Sequence, residues 1–319
     1  MELAFFTSIL AITIRAGTSL LYATIGEIYA ERSGILNLGV EGMMLMGAVS
    51  GFAAAFHSGS AWVGVVVAML VGAGMAAIHA FLTITLRADQ VVSGLALTIF
   101  GIGLSSFLGQ RLGPGATPLV GLQGPRFTRV AIPGLSEIPI IGPPLFNQDM
   151  LTYLLYLFVP FAAYYLYRTR PGLNLRAVGE NPRAADAMGL DVVRIRYLYT
   201  MFGGVLAGLG GAHLSLAYTP GWTDNLTGGR GWIAIALVIF ALWDPLRAVV
   251  GALLFGGINA IQFRMQAAGT TIPASFLNML PYLFTILVMI GITVYEKVSR
   301  SVGAPAALGL PYYREERGL

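Results

Sequence analysis

A chain of 319 residues with 56% hydrophobic and 11% charged residues lies outside the ordinary soluble class, where about a quarter of residues are charged. A formal net charge of +4 with no cysteine excludes disulfides, thiolate metal sites and cysteine catalysis. With a mean hydropathy of +0.74, recurrent apolar runs long enough to cross a bilayer and no pattern of short alternating strands, the composition predicts an all-α polytopic membrane protein.

The first predicted span covers 3–25 and carries Arg15 near its centre. A guanidinium there costs roughly 2.5–3.5 kcal/mol on insertion scales, so Arg15 either snorkels or pairs inside the bundle, or takes part in function. The span lacks a preceding basic region, so a retained span is expected in place of a cleaved signal peptide. Glu27, Glu31 and Arg32 read as a short loop, and 34–56 as the second span. Asn37 and Glu41 fall inside that run four residues apart, which predicts one shared helical face. The third span, 62–86, holds His79, expected to be a satisfied interior group. Arg87-Ala88-Asp89-Gln90 is a polar break before the fourth span at 91–108.

Residues 110–150 are rich in Pro and Gly and cannot form one helix, so an aqueous loop is expected. The fifth span, 151–167, ends in Tyr164, Tyr165 and Tyr167, an interfacial belt. The segment 168–196 is polar with helical character, and 197–217 is the sixth span. After a Gly-rich loop at 219–229 come segments at 232–243, 248–261 and 276–294, the first short enough to be a broken or re-entrant helix. Rows of small residues, Gly204/Gly208/Ala212 beside Gly203/Ala207/Gly211, and Ala252/Gly256/Ala260, predict close helix packing.

The arginines set the expected orientation. With 168–196 in the cytoplasm, Arg32, Arg87, six arginines of that segment, Arg247, Lys297, Arg300, Arg314 and Arg317 lie inside, thirteen in all. Arg111, Arg126, Arg129, Arg230 and Arg264 lie outside, five in all. That asymmetry follows the positive-inside rule and explains the basic charge without nucleic acid. It predicts about nine hydrophobic segments (eight to ten), N-terminus outside and C-terminus cytoplasmic.

Within 168–196, Gly179-Glu180-Asn181-Pro182-Arg183-Ala184-Ala185-Asp186-Ala187-Met188-Gly189-Leu190 reads as a self-contained short helix. Asn181 suits the N-cap, Pro182 the first helical position, and Gly189 the position just past the end. A helix this short is not stable alone. It is either a lid on its own bundle or a docking element for a partner. The sequence has no G-x-x-x-x-G-K phosphate loop, no metal-ligand spacing and no nucleophile with a plausible base, so any ATP hydrolysis belongs to another chain.

Three stretches together resemble a known family: 30–48 (from Ala30-Glu31-Arg32-Ser33-Gly34-Ile35-Leu36-Asn37-Leu38-Gly39-Val40-Glu41-Gly42), the 179–190 helix, and Gly228-Gly229-Arg230-Gly231-Trp232-Ile233-Ala234. The chain is similar, over about 20–295, to permease subunits of bacterial ATP-binding-cassette (ABC) importers serving simple sugars, branched-chain amino acids and nucleosides. The nucleoside-type permeases are the nearest match, and the chain resembles the smaller of their two permease subunits. The resemblance implies a type II importer in the bacterial cell membrane. Its partners would be a second, different permease, a cytoplasmic ATPase that holds ATP-Mg, and an extracytoplasmic binding lipoprotein. No cofactor is expected on this chain. It further implies a permease domain at 1–295, with an extracytoplasmic loop at 110–150 and a coupling segment at 168–196, and a cytoplasmic tail at 296–319. Gly179, Glu180, Asn181, Pro182, Ala184, Ala185 and Gly189 would then form the coupling helix that docks on the ATPase.

Polar residues inside the membrane are pathway candidates. They are Asn37, Glu41, Gln90, Ser93, Thr98, Asn259 and Gln262. Glu41 either contacts cargo, pairs with Arg15, or caps a helix break near Gly39. The substrate expected is a nucleoside, with a simple sugar as the alternative. An ion-coupled secondary transporter is the rival class, since Glu41 and the short seventh segment fit its habits. The capped cytoplasmic helix argues against that rival.

Overall fold

In a computed structural model, residues 2–267, 303–314 and part of 272–291 are described. Eleven α-helices follow in order among them. The long ones are α1 (Glu2–Arg32), α2 (Val40–Ser58), α3 (Ala61–Ala80), α4 (Gln90–Gly109), α6 (Met150–Arg168), α9 (Val192–His213) and α11 (Pro245–Ala267). Seven helices among the described residues are long and apolar enough to cross a membrane. The expected span at 276–294 lies largely outside the described residues.

Four boundaries differ from the sequence expectation, each for a physical reason. Glu27, Glu31 and Arg32 form no loop: α1 runs through them, and all three are buried. Glu27 Oε1, Glu31 Oε2 and the Arg32 guanidinium find partners in the bundle, which lets the helix continue through them. The second span starts at Val40, because 33–39 leaves the helix and runs as turns and irregular backbone. The sixth begins earlier than expected, at Val192, where the Asp191 carboxylate caps the helix by accepting the Arg194 N–H at 2.9 Å. The short segment is α10 (Arg230–Phe240), 11 residues. At 1.5 Å per residue it reaches about 16 Å, roughly half the hydrocarbon thickness.

The centre of the bundle is α9, packed against α1, α2 and α3. The small-residue rows explain how closely. A Cβ on Gly208 would strike the Ala68 carbonyl of α3, and one on Gly211 the Met44 carbonyl of α2. The second row sets α11 against α1, where Gly256 faces Thr13 and Gly17. Such contacts replace the hydrophobic drive that is absent between helices in lipid. Both α3 and α9 end in a π-helical turn, Phe81–Thr85 and Leu214–Tyr218.

The 110–149 stretch carries a 3-10 turn, a two-residue antiparallel pairing of β1 (Val130–Ala131) with β2 (Asn147–Gln148), and α5 (Gly142–Phe146). No long helix forms there, as its prolines dictate. At the opposite end of the bundle, α7 (Arg170–Glu180) and α8 (Pro182–Ala187) join α6 to α9.

Candidate functional site

The break between α1 and α2 sits among buried side chains, where every backbone polar group needs a protein partner. Those partners are polar residues on α1, α3 and α4. Leu36 N–H donates to Gln90 Oε1 at 2.7 Å. The Leu36 carbonyl meets His79 Nε2 at 3.1 Å, and His79 Nδ1 meets Ser93 Oγ at 3.0 Å. Asn37 N–H donates to Glu27 Oε1 at 3.0 Å. Thr98 Oγ1 donates to the Leu38 carbonyl at 2.8 Å, and Gly39 N–H to Asn37 Oδ1 at 2.9 Å. The structure therefore brings Asn37, Gln90, Ser93 and Thr98 together around one unwound strip. It adds His79 and Glu27, which sequence reasoning had not placed there.

Asn37 and Glu41 do not share a helical face, because Asn37 lies in the unwound strip and Glu41 in the first turn of α2. Glu41 is 2% exposed. Its Oε1 accepts from Thr227 Oγ1 at 2.5 Å and from Gly229 N–H at 2.8 Å. Its Oε2 accepts from Gly231 N–H at 2.6 Å. These donors form the N-terminus of α10, where Gly229 has φ +84°. A carboxylate is the natural partner for free N–H groups and the positive end of a helix. Gly231 must lack a side chain, because a Cβ would strike the Glu41 backbone. Glu41 does cap a helix, then, but the cap is on α10 and not at Gly39. Arg15 turns to its own helix, donating to the Ala11 carbonyl at 3.4 Å.

The far end of α10 is tied to the last turn of α1. Trp243 Nε1 donates to Glu31 Oε2 at 2.5 Å, and Arg32 donates to the Trp243 carbonyl through Nε at 3.3 Å and Nη2 at 3.2 Å. Leu242 and Trp243 both have positive φ at this junction, 51° and 56°. At one end, Trp222 stacks on Gly109, and from there the loop descends to Thr227 at Glu41. The segment from Trp222 to Trp243 thus runs from the Gly109 end of the bundle to the Arg32 end as a discontinuous span, half loop and half helix. Arg230 stands at the start of α10, its guanidinium 5.4 Å from the centre of the Tyr218 ring, and not in an outer loop.

Asn259 does not join this cluster. Its amide donates to the Phe255 carbonyl within α11 at 3.1 Å. Around Asn259, α11 packs on α1 near Thr13, some 14 residues or about 21 Å along α1 from Glu27. Gln262 is also buried on α11.

Near the start of α6, Asp149 pairs with His213 at 3.5 Å and accepts from Thr152 Oγ1 at 2.8 Å. Burial opposes its ionisation, but His213 and the Thr152 bonds hold its carboxyl below the usual carboxylate range.

The α7–α8 end has the expected capping chemistry. Asn181 Oδ1 accepts the Ala184 N–H at 3.0 Å, Pro182 opens α8, and Gly189 follows it at φ +84°. Asn181 also closes α7, with its N–H bonded to the Ala177 carbonyl. One residue thus hinges two helices where a single helix had been expected. Ala185 faces inward, packed with Val178 and Val192. The outward surface is Arg183, Ala184, Ala187 and Met188, and Met188 is 83% exposed. The chain's own C-terminal segment braces this end: Ala307 N–H donates to the Gly179 carbonyl at 2.9 Å and Ala306 N–H to Glu180 Oε2 at 3.3 Å. Gly309 N–H reaches the Gly34 carbonyl at 3.2 Å, and Arg314 pairs with Asp186 at 3.4 Å. Arg196 joins both sides, donating to the Ser33 carbonyl at 3.2 Å and the Leu310 carbonyl at 3.1 Å. Burial and the Asp186 carboxylate raise the Tyr312 phenol above its ordinary range.

Seven helices able to cross a membrane, an unwound strip, a discontinuous span and a capped short helix at one end are the layout of a membrane transport subunit. Residues 8–293 match the family described as branched-chain amino acid transport system / permease component, and the chain belongs to that family. It is 41% identical, over 98% of its length and 99% of the relative's, to a Haloferax volcanii protein provisionally named glucose ABC transporter permease protein TsgC13. It is 38% identical to the nucleoside ABC transporter permease protein NupC of Lactococcus lactis, over 85% of this chain and 88% of that one. It is 33% identical to the guanosine ABC transporter permease protein NupQ of Bacillus subtilis, over 96% of each. The protein is an ABC transporter permease component. It is a transport subunit without its own ATPase, and ATP is hydrolysed on a separate chain.

Proposed function

We propose that this chain is one of two different permease subunits of an ATP-driven importer and lines part of the pathway for nucleosides. The observation that carries the substrate is the match, over most of the chain, to permeases named for nucleosides and guanosine. A glucose-type sugar is the second reading, supported by the 41% identity to the protein named as a glucose permease. Asn37, Gln90, Ser93 and Thr98 are buried and bonded within or beside the unwound strip, so they would shape the pathway by holding that strip, which suits either cargo. The first three, with Glu41 and Asn259, are the pathway residues we advance. Glu41 acts by fixing the half-helix α10 and Asn259 acts from α11.

The α8 helix, with Gly179, Glu180, Asn181, Pro182, Ala184, Ala185 and Gly189 shaping it, is the coupling element. It would seat its Met188 face on a cytoplasmic ATPase that binds ATP-Mg, with no cofactor on this chain. With Arg230 set aside at the start of α10, thirteen basic residues against four support placing this end and the tail 296–319 in the cytoplasm of a bacterial cell, with the N-terminus and 110–150 outside. An extracytoplasmic binding lipoprotein would deliver the cargo to the domain 1–295. Reconstitution with the ATPase, second permease and binding protein tests the reading: ATP-dependent uptake of labelled nucleoside supports it, and uptake of glucose with nucleosides ignored overturns the substrate.

A further inference from the structure

A second, membrane-facing site lies between α3, α6 and α9. It is an apolar cavity of about 460 Å³ lined by Tyr29, Phe158, Phe161, Tyr165, Leu198 and Phe202, among others. Phe161 and Leu198 are exposed at its mouth, while Tyr29 forms its floor. Its walls are held in register: Tyr165 and Tyr199 share a hydrogen bond of 2.8 Å, and Tyr29 Oη donates to the Ala162 carbonyl at 2.7 Å. Tyr29 meets Phe202 edge to face at 5.3 Å. The groove is therefore preformed, and it opens on the outside of the helix bundle at Phe161 and Leu198.

The Tyr165–Tyr199 bond also fixes what lies at its end. Arg168 follows Tyr165 by three residues on α6, and Arg194 precedes Tyr199 by five on α9. With the two helices running oppositely, both arginines stand about one turn beyond the tyrosine pair, on the same side, at the membrane edge. Both are exposed. Neither guanidinium has a hydrogen bond or ion pair among the described residues. An apolar slot closed at the interface by two unpaired cations is complementary to one amphiphile. We infer that the groove binds an anionic phospholipid, with an acyl chain between α6 and α9 and its phosphate at Arg168 and Arg194. This site is independent of the cargo and of which face is cytoplasmic.

The test is native mass spectrometry of the assembled transporter from nanodiscs holding equal phosphatidylglycerol and phosphatidylcholine. Wild type retains phosphatidylglycerol preferentially. Arg168→Gln with Arg194→Gln reduces that preference by about 30-fold, the effect of two surface basic residues near anionic lipid. Leu198→Trp fills the slot and removes bound lipid of both kinds while both arginines remain. Equal retention of the two lipids by wild type, or an unchanged preference in the double arginine variant, overturns the inference. So does a photo-cross-link to the second permease from a benzophenone side chain placed at position 198, which would make the groove a subunit interface.

Discussion

Glu41 Oε2 accepts the backbone N–H of Gly231 at 2.6 Å across 190 residues of chain. With Thr227 and Gly229 on Oε1, all three contacts of the carboxylate go to the start of α10. Hydrogen bonds to charged groups contribute about 1.5–3 kcal/mol each. Glu41→Gln keeps the shape and loses the charge, so it should lower the unfolding free energy by about 2 kcal/mol. Transport should fall in Vmax with KM for the cargo unchanged. A raised KM with unaltered melting would instead place Glu41 against the cargo.

Gln90 holds the Leu36 N–H of the unwound strip, and that donor has no water to fall back on. Gln90→Leu should cost about 1–2 kcal/mol, in the range measured for interhelical bonds in membranes. Denaturation in graded detergent mixtures would show it. A neutral effect would mean the strip re-pairs on its own.

Docking through α8 is best tested at Met188, because Ala185 lies inside the chain's own packing. Met188→Asp should abolish uptake and cargo-stimulated ATPase activity while membrane insertion and melting stay as in wild type. Ala185→Arg should instead destabilise the α7–α9 end itself. Retained coupling in Met188→Asp would return α8 to the status of a lid. Asn181→Ala removes a cap and should cost about 1 kcal/mol.

The Asp149–His213 pair predicts a pH dependence. Because the folded carboxyl titrates below its unfolded value, its contribution is complete above about pH 4 and is lost as pH falls through the lower folded value. Asp149→Asn should remove this acid-side loss. Melting profiles that superimpose for wild type and variant would refute the pair's role.

The sequence made the long spans and the caps legible, because both depend on local chemistry. Apolar length predicted seven of the crossing helices, and Asn181, Pro182 and Gly189 marked α8. Long-range satisfaction was not legible. Glu27 and Glu31 read as loop residues because a single sequence cannot show that Asn37 N–H and Trp243 Nε1 wait for them. For Glu41 the sequence left cargo contact, a pair with Arg15 and a cap near Gly39 all open for the same reason, although its partner stretch, Gly228-Gly229-Arg230-Gly231, was itself among those that stood out. His79 alone on an apolar helix gave no sign that Ser93 and Leu36 would bracket it.

We propose that nucleosides pass through this permease component under ATP drive. The most direct measurement is uptake of radiolabelled guanosine into proteoliposomes holding both permeases and the ATPase, with binding protein outside and ATP within. Accumulation that requires ATP, is competed by other nucleosides and is indifferent to excess glucose is the predicted result. Accumulation of labelled glucose, unaffected by excess nucleoside, would contradict it.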